Sequence, residues 1–343
     1  MNKSDTAYGG REAGYYEVRP DHTVVCRLCP HECHLSEGRQ GLCRSRTNRG
    51  GKLYTLAYGK VCALHADPVE KKPLFHFLPG SRCFSVAAAG CNLSCLNCQN
   101  WEISQASPLE VGCRRIAPEE LAETAACSGC RSVAYTYTEP LTYIEFTRDC
   151  AAACKARGLK NILVTAGYVN EQPLADLLPF IDAANIDLKS FSDDTYRRIS
   201  RARLAPVLRT LLQMKEAGVW MEITNLVIPS VNDGTEQIQT LCRWLADNGL
   251  ADSPLHFSRF FPRYRLSHLP PTPIETLLQA RQTAREEGMQ FVYIGNTSLP
   301  DAEDTRCPHC GKQLVHRDIY QVSPHHFSGI CPQCGQPIPG VWT

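Results

Sequence analysis

Apolar and polar positions along the middle of the chain switch repeatedly between two periods. Phe84–Gly90 is a short apolar run, and Ser132–Thr138 (SVAYTYT) alternates and is rich in β-formers; both read as strands. Thr142–Arg157 has helical spacing and meets Gly158, a stop signal. The pattern continues with a strand at Asn161–Thr165, a helix near Leu174–Ile181 and a strand at Ala184–Leu188. Helices at Leu204–Ala217, Glu236–Asn248 and Ile274–Glu287 close at Gly218, Gly249 and Gly288. Strands at Trp220–Ile228, Leu255–Phe260 and Phe291–Ile294 complete the series.

Strands alternating with helices predict an α/β fold with a parallel sheet. Roughly six such units fit an open or partial (β/α)6 barrel, with a doubly wound sheet as the competing topology. Either places functional groups at the C-terminal ends of the strands. Polar residues do fall there: Cys91 after the first strand, Glu139 after the second, Thr165 at the third, Asp187 and Lys189 at the fourth. The pattern divides the chain into a flexible N-terminus (1–22), an N-terminal cysteine-rich module with its connection (23–79), the β/α domain (80–300) and a C-terminal cysteine module (301–343).

With 343 residues, 43% of them apolar, the chain can bury a sizeable core without covalent staples. Yet it holds 19 cysteines. Met1–Arg19 lacks the apolar stretch of a signal peptide, and no segment approaches a membrane span, so a cytoplasmic protein without a membrane partner is expected. Thiols stay reduced in that compartment, so grouped cysteines read as metal or redox sites. A net charge of +1 argues against a nucleic-acid partner.

Three groups account for eleven cysteines. Cys91, Cys95 and Cys98 follow the first strand with Cys-x3-Cys-x2-Cys spacing. Such a loop can wrap three thiolates around one side of an iron–sulfur cube and leave one iron open; a zinc site completed by a distant histidine is the alternative. Cys307-x2-Cys310 and Cys331-x2-Cys334, each followed by glycine, fit a four-thiolate zinc ribbon, with an auxiliary cluster as the alternative; His309, His325 and His326 lie nearby. Cys26, Cys29, Cys33 and Cys43 fit zinc or a second cluster, and His31 or His34 could replace one ligand. Their place before the barrel suggests a cap over its mouth that excludes water and oxygen. Cys150 and Cys154, four apart on a predicted helix, read as small buried residues. Lys71 and Lys72 read as an anion site or a solvated charge pair.

The cysteine loop after a first strand resembles the radical S-adenosylmethionine (SAM) superfamily. Asp67–Gly80, Gln99–Ser104, Tyr135–Pro140, Asn185–Lys189 and Tyr293–Asn296 narrow the resemblance to the radical SAM component of the AmmeMemoRadiSam system, related to pyruvate formate-lyase activating enzymes. The resemblance implies a radical SAM partial barrel whose Cys91, Cys95 and Cys98 hold a 4Fe–4S cluster. It implies reductive cleavage of SAM to a 5′-deoxyadenosyl radical and hydrogen abstraction from a protein or small-molecule substrate. By the same resemblance Glu139, with Thr138 and Tyr137, faces the SAM amino group, and Asp187 and Lys189 lie near its carboxylate and sulfonium. Thr165, Asn225 and His256 belong to the same expected cofactor surface. The implied partners are a flavodoxin- or ferredoxin-type electron donor and the proteins of that system. Three departures point away from a strict pyruvate formate-lyase activase: Asn97 where an aromatic residue is usual, Val164 where an acid binds a cation, and Ala166-Gly167 for Asn-Gly. A glycyl-radical activase and a non-catalytic zinc-binding interaction protein are the competing functions.

Overall fold

A run of strands joined by helices lays down one sheet in chain order. The computed structural model describes residues 10–323 and 327–343. Its main sheet contains β1 (Ala63–Pro68), β2 (Arg82–Ala87), β3 (Ser132–Tyr135), β4 (Lys160–Thr165), β5 (Ala183–Asp187), β6 (Trp220–Val227), β7 (Leu255–Arg259) and β8 (Val292–Gly295). From β2 to β8 each strand is parallel to the next; β1 lies antiparallel on β2 at one edge. The connections carry α1 (Pro118–Cys127), α2 (Ile144–Ala156), α3 (Glu171–Leu177), α4 (Leu204–Glu216), α5 (Thr235–Asp247) and α6 (Ile274–Glu286). Strand order never reverses, so the doubly wound alternative, with its switch point, is excluded. Right-handed crossovers in a sheet wound one way put all six helices on one face.

The predicted helix ends hold because they are local chemistry. In α2, α4, α5 and α6 the stop glycine takes a left-handed conformation, and two backbone bonds close the end. In α5 these are Gly249 N–H to Ala246 O and Leu250 N–H to Leu245 O. This is the Schellman motif, repeated at Gly158, Gly218 and Gly288. The residue after each glycine (Leu159, Val219, Leu250, Met289) is buried and turns the chain back toward the sheet. In α5 Ile238, Leu241, Cys242 and Leu245 form the buried stripe, each worth about 1.5–3 kcal/mol where the side chain is large. Cys150 and Cys154 are fully buried in α2, as their spacing predicts.

The face of the sheet away from the helices is closed by the chain's own segment 69–78. Val69, Leu74, Phe77 and Leu78 pack on Cys83, Ala134, Ile162 and Ala183. The C-terminal module clasps this plug. Val341 N–H donates to His76 O, Leu78 N–H donates to Val341 O, and the Arg317 guanidinium donates to Phe75 O. The buried His76 ring lies between Pro339 O (2.7 Å from Nδ1) and the Tyr293 hydroxyl (2.6 Å from Nε2).

Residues 10–22 are not a loose end. Arg11–Glu12 pairs with Lys52–Thr55, and Tyr16–Val18 pairs with Val24–Cys26, in two small sheets of the N-terminal module. The rest of the expected flexible N-terminus, residues 1–9, lies outside the described residues, as do His325 and His326. Among the described residues no helix is long and apolar enough to cross a membrane.

Candidate functional site

The site begins where β2 runs out into Ala88-Ala89-Gly90, all buried. Gly90 has φ +103°, and a Cβ there would sit 2.5 Å from the Cys43 carbonyl oxygen. Only glycine lets the N-terminal module lie this close to the chain entering Cys91.

The loop from Cys91 to Cys98 is held mainly by backbone. Ser94 N–H donates to Ser200 O (3.0 Å), Leu96 N–H to Ile199 O (2.9 Å), and Arg265 N–H to Leu96 O (2.9 Å). The first two partners lie on a wide helical turn, Tyr196–Ser200, which ends at left-handed Arg201. The sulfurs have small polar neighbours: Leu93 N–H donates to Cys91 Sγ (3.3 Å), Cys95 Sγ lies 3.4 Å from Ser200 Oγ, and Cys98 Sγ lies 3.2 Å from Ser104 Oγ. Burial, then the Glu139 charge, pushes the Cys91 thiol well above its usual range, and burial also raises Cys95. Such thiols become thiolates when a metal replaces the proton.

Glu139 is buried at the end of β3 and held by three donors. Thr165 Oγ1 donates to Oε1 (2.7 Å), Leu141 N–H to Oε1 (3.2 Å) and Ala166 N–H to Oε2 (2.8 Å). Burial raises its pKa; these hydrogen bonds and Lys189 oppose the rise. Across the opening Lys189 Nζ donates to Asp187 Oδ2 (2.9 Å), and its backbone N–H donates to the Tyr196 hydroxyl (3.0 Å). Burial works against the ammonium, but Asp187 and the Cys95 sulfur outweigh it and hold its pKa above the ordinary lysine value. The loop sulfurs therefore have a carboxylate on one side and a fixed cation on the other.

The remaining predicted residues stand at different distances from this centre. Thr138 Oγ1 donates to Ala88 O (2.6 Å) and ties β3 to the cysteine loop. Tyr137 has φ +65°; its hydroxyl donates to Asp67, which also accepts from Lys72, Lys71 and Ser85. Lys72 is thus a buried ion-pair partner, not half of a solvated charge pair. Asn225 is buried and donates to Leu188 O (2.7 Å), so it holds the turn that presents Lys189. His256 Nε2 lies 2.7 Å from Glu222 Oε2, and Glu222 also accepts from the Phe75 and His76 N–H groups. His256 belongs to that plug-side network, and it lines a separate cavity with Thr224, Ser258 and Asn296. Ser200, Ser104 and Tyr196 were not legible as site residues, because neither their spacing nor their type marks them.

The flanking cysteine groups differ in geometry. In the C-terminal group Cys307 Sγ lies 3.6 Å from Cys334 Sγ, and Cys310 Sγ lies 3.6 Å from Cys331 Sγ. Gly311 N–H bonds Cys307 O and Gly335 N–H bonds Cys331 O, giving two matching knuckles. Among the described residues this is the one group with three or more candidate ligand atoms all within 4.8 Å of one another. Two thiolates bound at about 2.3 Å to one tetrahedral ion lie about 3.8 Å apart, so this group fits a single ion. Cys26, Cys29, Cys33 and Cys43 instead line one cavity against Asn92, the neighbour of Cys91, with no three of their sulfurs gathered within 4.8 Å of one another. His31 lines the same cavity with its Nε2 2.8 Å from Asn92 O, whereas His34 is exposed on a strand and is not in the lining.

Comparison with known proteins agrees with this geometry. The profile of the radical SAM superfamily matches residues 86–245, from β2 into α5. Uncharacterized protein MJ0808 of Methanocaldococcus jannaschii is 44% identical over 331 residues, 96% of this chain and 98% of that one. Pyruvate formate-lyase 1-activating enzyme of Escherichia coli K12 is 25% identical over 240 residues, 63% of this chain and 93% of that one. Among solved structures, Streptococcus suis SuiB bound to S-adenosylmethionine superposes with a TM-score of 0.50 at 15% identity, covering 71% of this chain and 58% of that one.

Proposed function

From the premise that the chain carries a radical SAM domain homologous to pyruvate formate-lyase activating enzymes, and belongs to one family with MJ0808, we propose that it is a SAM-cleaving radical enzyme. Cys91, Cys95 and Cys98 would hold a 4Fe–4S cluster. The observation that carries the reading is the set of three sulfurs on one strand-end loop, between the Glu139 carboxylate and the Lys189 ammonium. Their sulfurs are not gathered within single-ion distance, as those of the C-terminal group are, which suits a cluster rather than one ion.

A cluster held by Cys91, Cys95 and Cys98, with SAM beside it, would supply one-electron reductive cleavage of SAM and hydrogen-atom abstraction from a substrate. The chain's own residues bind and orient. Glu139, caged by Thr165 and the backbone, offers a fixed carboxylate to an ammonium without reorganising. Lys189, anchored by Asp187, offers a positive charge to a carboxylate. Asn225, Thr138 and Tyr196 are positioning residues for these two. The C-terminal cysteines would hold one zinc ion that locks the clasp on the 69–78 plug. The electron donor would be of flavodoxin or ferredoxin type.

The test is anaerobic reconstitution with iron and sulfide, then SAM and dithionite. 5′-Deoxyadenosine should form with the wild type and not with Cys95→Ala. Absence of product from the wild type, or an undiminished yield from Cys95→Ala, overturns the assignment.

A further inference from the structure

Four cysteines of the N-terminal module converge on one cavity that the radical SAM reading does not use. Cys26, Cys29, Cys33 and Cys43 line it together with Arg46 and Asn92. Cys26, Cys29 and Cys43 are buried, and Cys33 is half-buried. Gly41 lies so near that a Cβ there would meet the Cys43 and Cys33 sulfurs at 3.6 and 3.7 Å. The sulfurs have fixed hydrogen-bond donors. Ser45 Oγ donates to Cys43 Sγ (3.3 Å), and backbone N–H groups of Leu28, His31 and Leu42 face Cys26, Cys29 and Cys33. The Arg46 guanidinium is fully buried; it bonds both Glu145 oxygens at 2.7 Å and lines the cavity beside the four sulfurs. A buried cation beside four sulfurs is the environment of an anionic thiolate–metal centre.

Spacing decides which centre. One chain displays both geometries. The C-terminal sulfurs gather at single-ion separation, as one zinc requires. No three of the N-terminal sulfurs do, although all four face the same cavity. Thiolates held apart around a common space suit the corners of a cluster of several irons bridged by sulfide.

Position gives the cluster a task. The Cys43 carbonyl rests on Gly90, His31 is bonded to Asn92 O, and Asn92 is in the cavity wall. Cys91 is the residue between Gly90 and Asn92, so the wall of one site is the backbone of the other. We propose that the N-terminal cavity holds a four-cysteine iron–sulfur cluster that relays single electrons to the centre at Cys91, Cys95 and Cys98. The relay takes one electron from a reduced low-potential carrier, a flavodoxin or ferredoxin, and passes that electron inward; no bond or proton changes hands. This second clause rests on the function proposed above; the presence of the cluster does not.

Metal analysis of the anaerobically reconstituted full chain is the first test. More than about four irons and about one zinc per chain are expected. About four irons with about two zincs would overturn the cluster. The Cys91→Ala/Cys95→Ala/Cys98→Ala variant should keep iron, acid-labile sulfide and a dithionite-induced paramagnetic signal; an iron-free variant overturns the proposal. If only the radical SAM assignment fails, that variant keeps the full wild-type iron instead of losing about four atoms. For the relay, Cys33→Ser should lose 5′-deoxyadenosine formation driven by reduced flavodoxin while keeping it with dithionite. Full flavodoxin-driven turnover in a variant shown to lack this cluster would overturn the relay.

Discussion

Replacing Gly90 with alanine should be among the more damaging single-methyl changes in this chain. The backbone has φ +103°, where an L side chain carries about 1–3 kcal/mol of strain. The added Cβ would lie 2.5 Å from the Cys43 carbonyl oxygen and 3.3 Å from Ser45 Cβ. Neither neighbour is the free end of a flexible chain: Ser45 is fully buried, and its carbonyl accepts from Leu56 N–H. Forcing a methyl into such packing adds about 1–3 kcal/mol. The sum is about 2–6 kcal/mol, or about 3–8 °C in Tm for a chain of this size. Gly158→Ala is the matched control, since its φ is +75° and nothing lies within 4 Å of a Cβ there. It should lose only about 1–2 kcal/mol from backbone strain. The assay is anaerobic thermal unfolding of both variants beside the wild type, with iron content measured in parallel. Gly90→Ala should also load less iron, because relieving the clash moves the N-terminal module off the Cys91 loop. Equal destabilisation by the two variants would refute the claim that close approach, rather than φ alone, requires glycine at position 90.

Three other outcomes follow from the same geometry. Arg46→Met leaves Glu145 buried without its bidentate partner and should cost about 3–5 kcal/mol, largely restored in the Arg46→Met/Glu145→Leu double variant; a chemical-denaturation cycle measures both. Burial lowers the His76 pKa to about 4 from an ordinary 6.5, so between those values the unfolded chain binds the extra proton and stability falls as pH drops. The full difference is about 3 kcal/mol, and His76→Gln should flatten the Tm profile across that window; an unchanged slope refutes the assignment. Glu139→Gln turns an amide N–H₂ toward either Ala166 N–H or the Thr165 and Leu141 donors, and removes the charge proposed to face SAM. Equilibrium SAM binding should weaken by about tenfold or more, and wild-type affinity would remove Glu139 from the cofactor surface.

The β/α rhythm was legible because each signal is local. A helix stops where glycine can adopt the left-handed cap and the next apolar residue can fold back, and both residues are adjacent in sequence. What escaped was non-local or weakly patterned. β1 (ALHADP) carries an aspartate, a proline and no clean alternation, and it becomes a strand by pairing along β2. The helix Pro118–Cys127 gives little periodic signal because its buried face includes Leu121, Ala122 and Ala125, too small to stand out as a stripe, although Pro118 at its first position and two following glutamates mark its start. The choice between a singly and a doubly wound sheet depends on which strands are neighbours, which periodicity does not encode.

The cysteines show the same division at the level of chemistry. Spacing along the chain groups them, but it says only how far the backbone can carry one thiol from the next. Cys-x2-Cys occurs at Cys26–Cys29 and at Cys307–Cys310, and the two pairs end in different geometries. At the C-terminus two identical knuckles face each other across a short hairpin module, and nothing intervenes to keep the sulfurs apart. At the N-terminus the same spacing is combined with Cys33 and Cys43, with Arg46 buried alongside and Asn92 of the β/α domain in the wall. The module that carries those thiols seats on Gly90 through the Cys43 carbonyl, a contact between residues 47 positions apart. If the N-terminal cysteines hold the proposed cluster, a change at that contact should alter metal loading without touching a ligand.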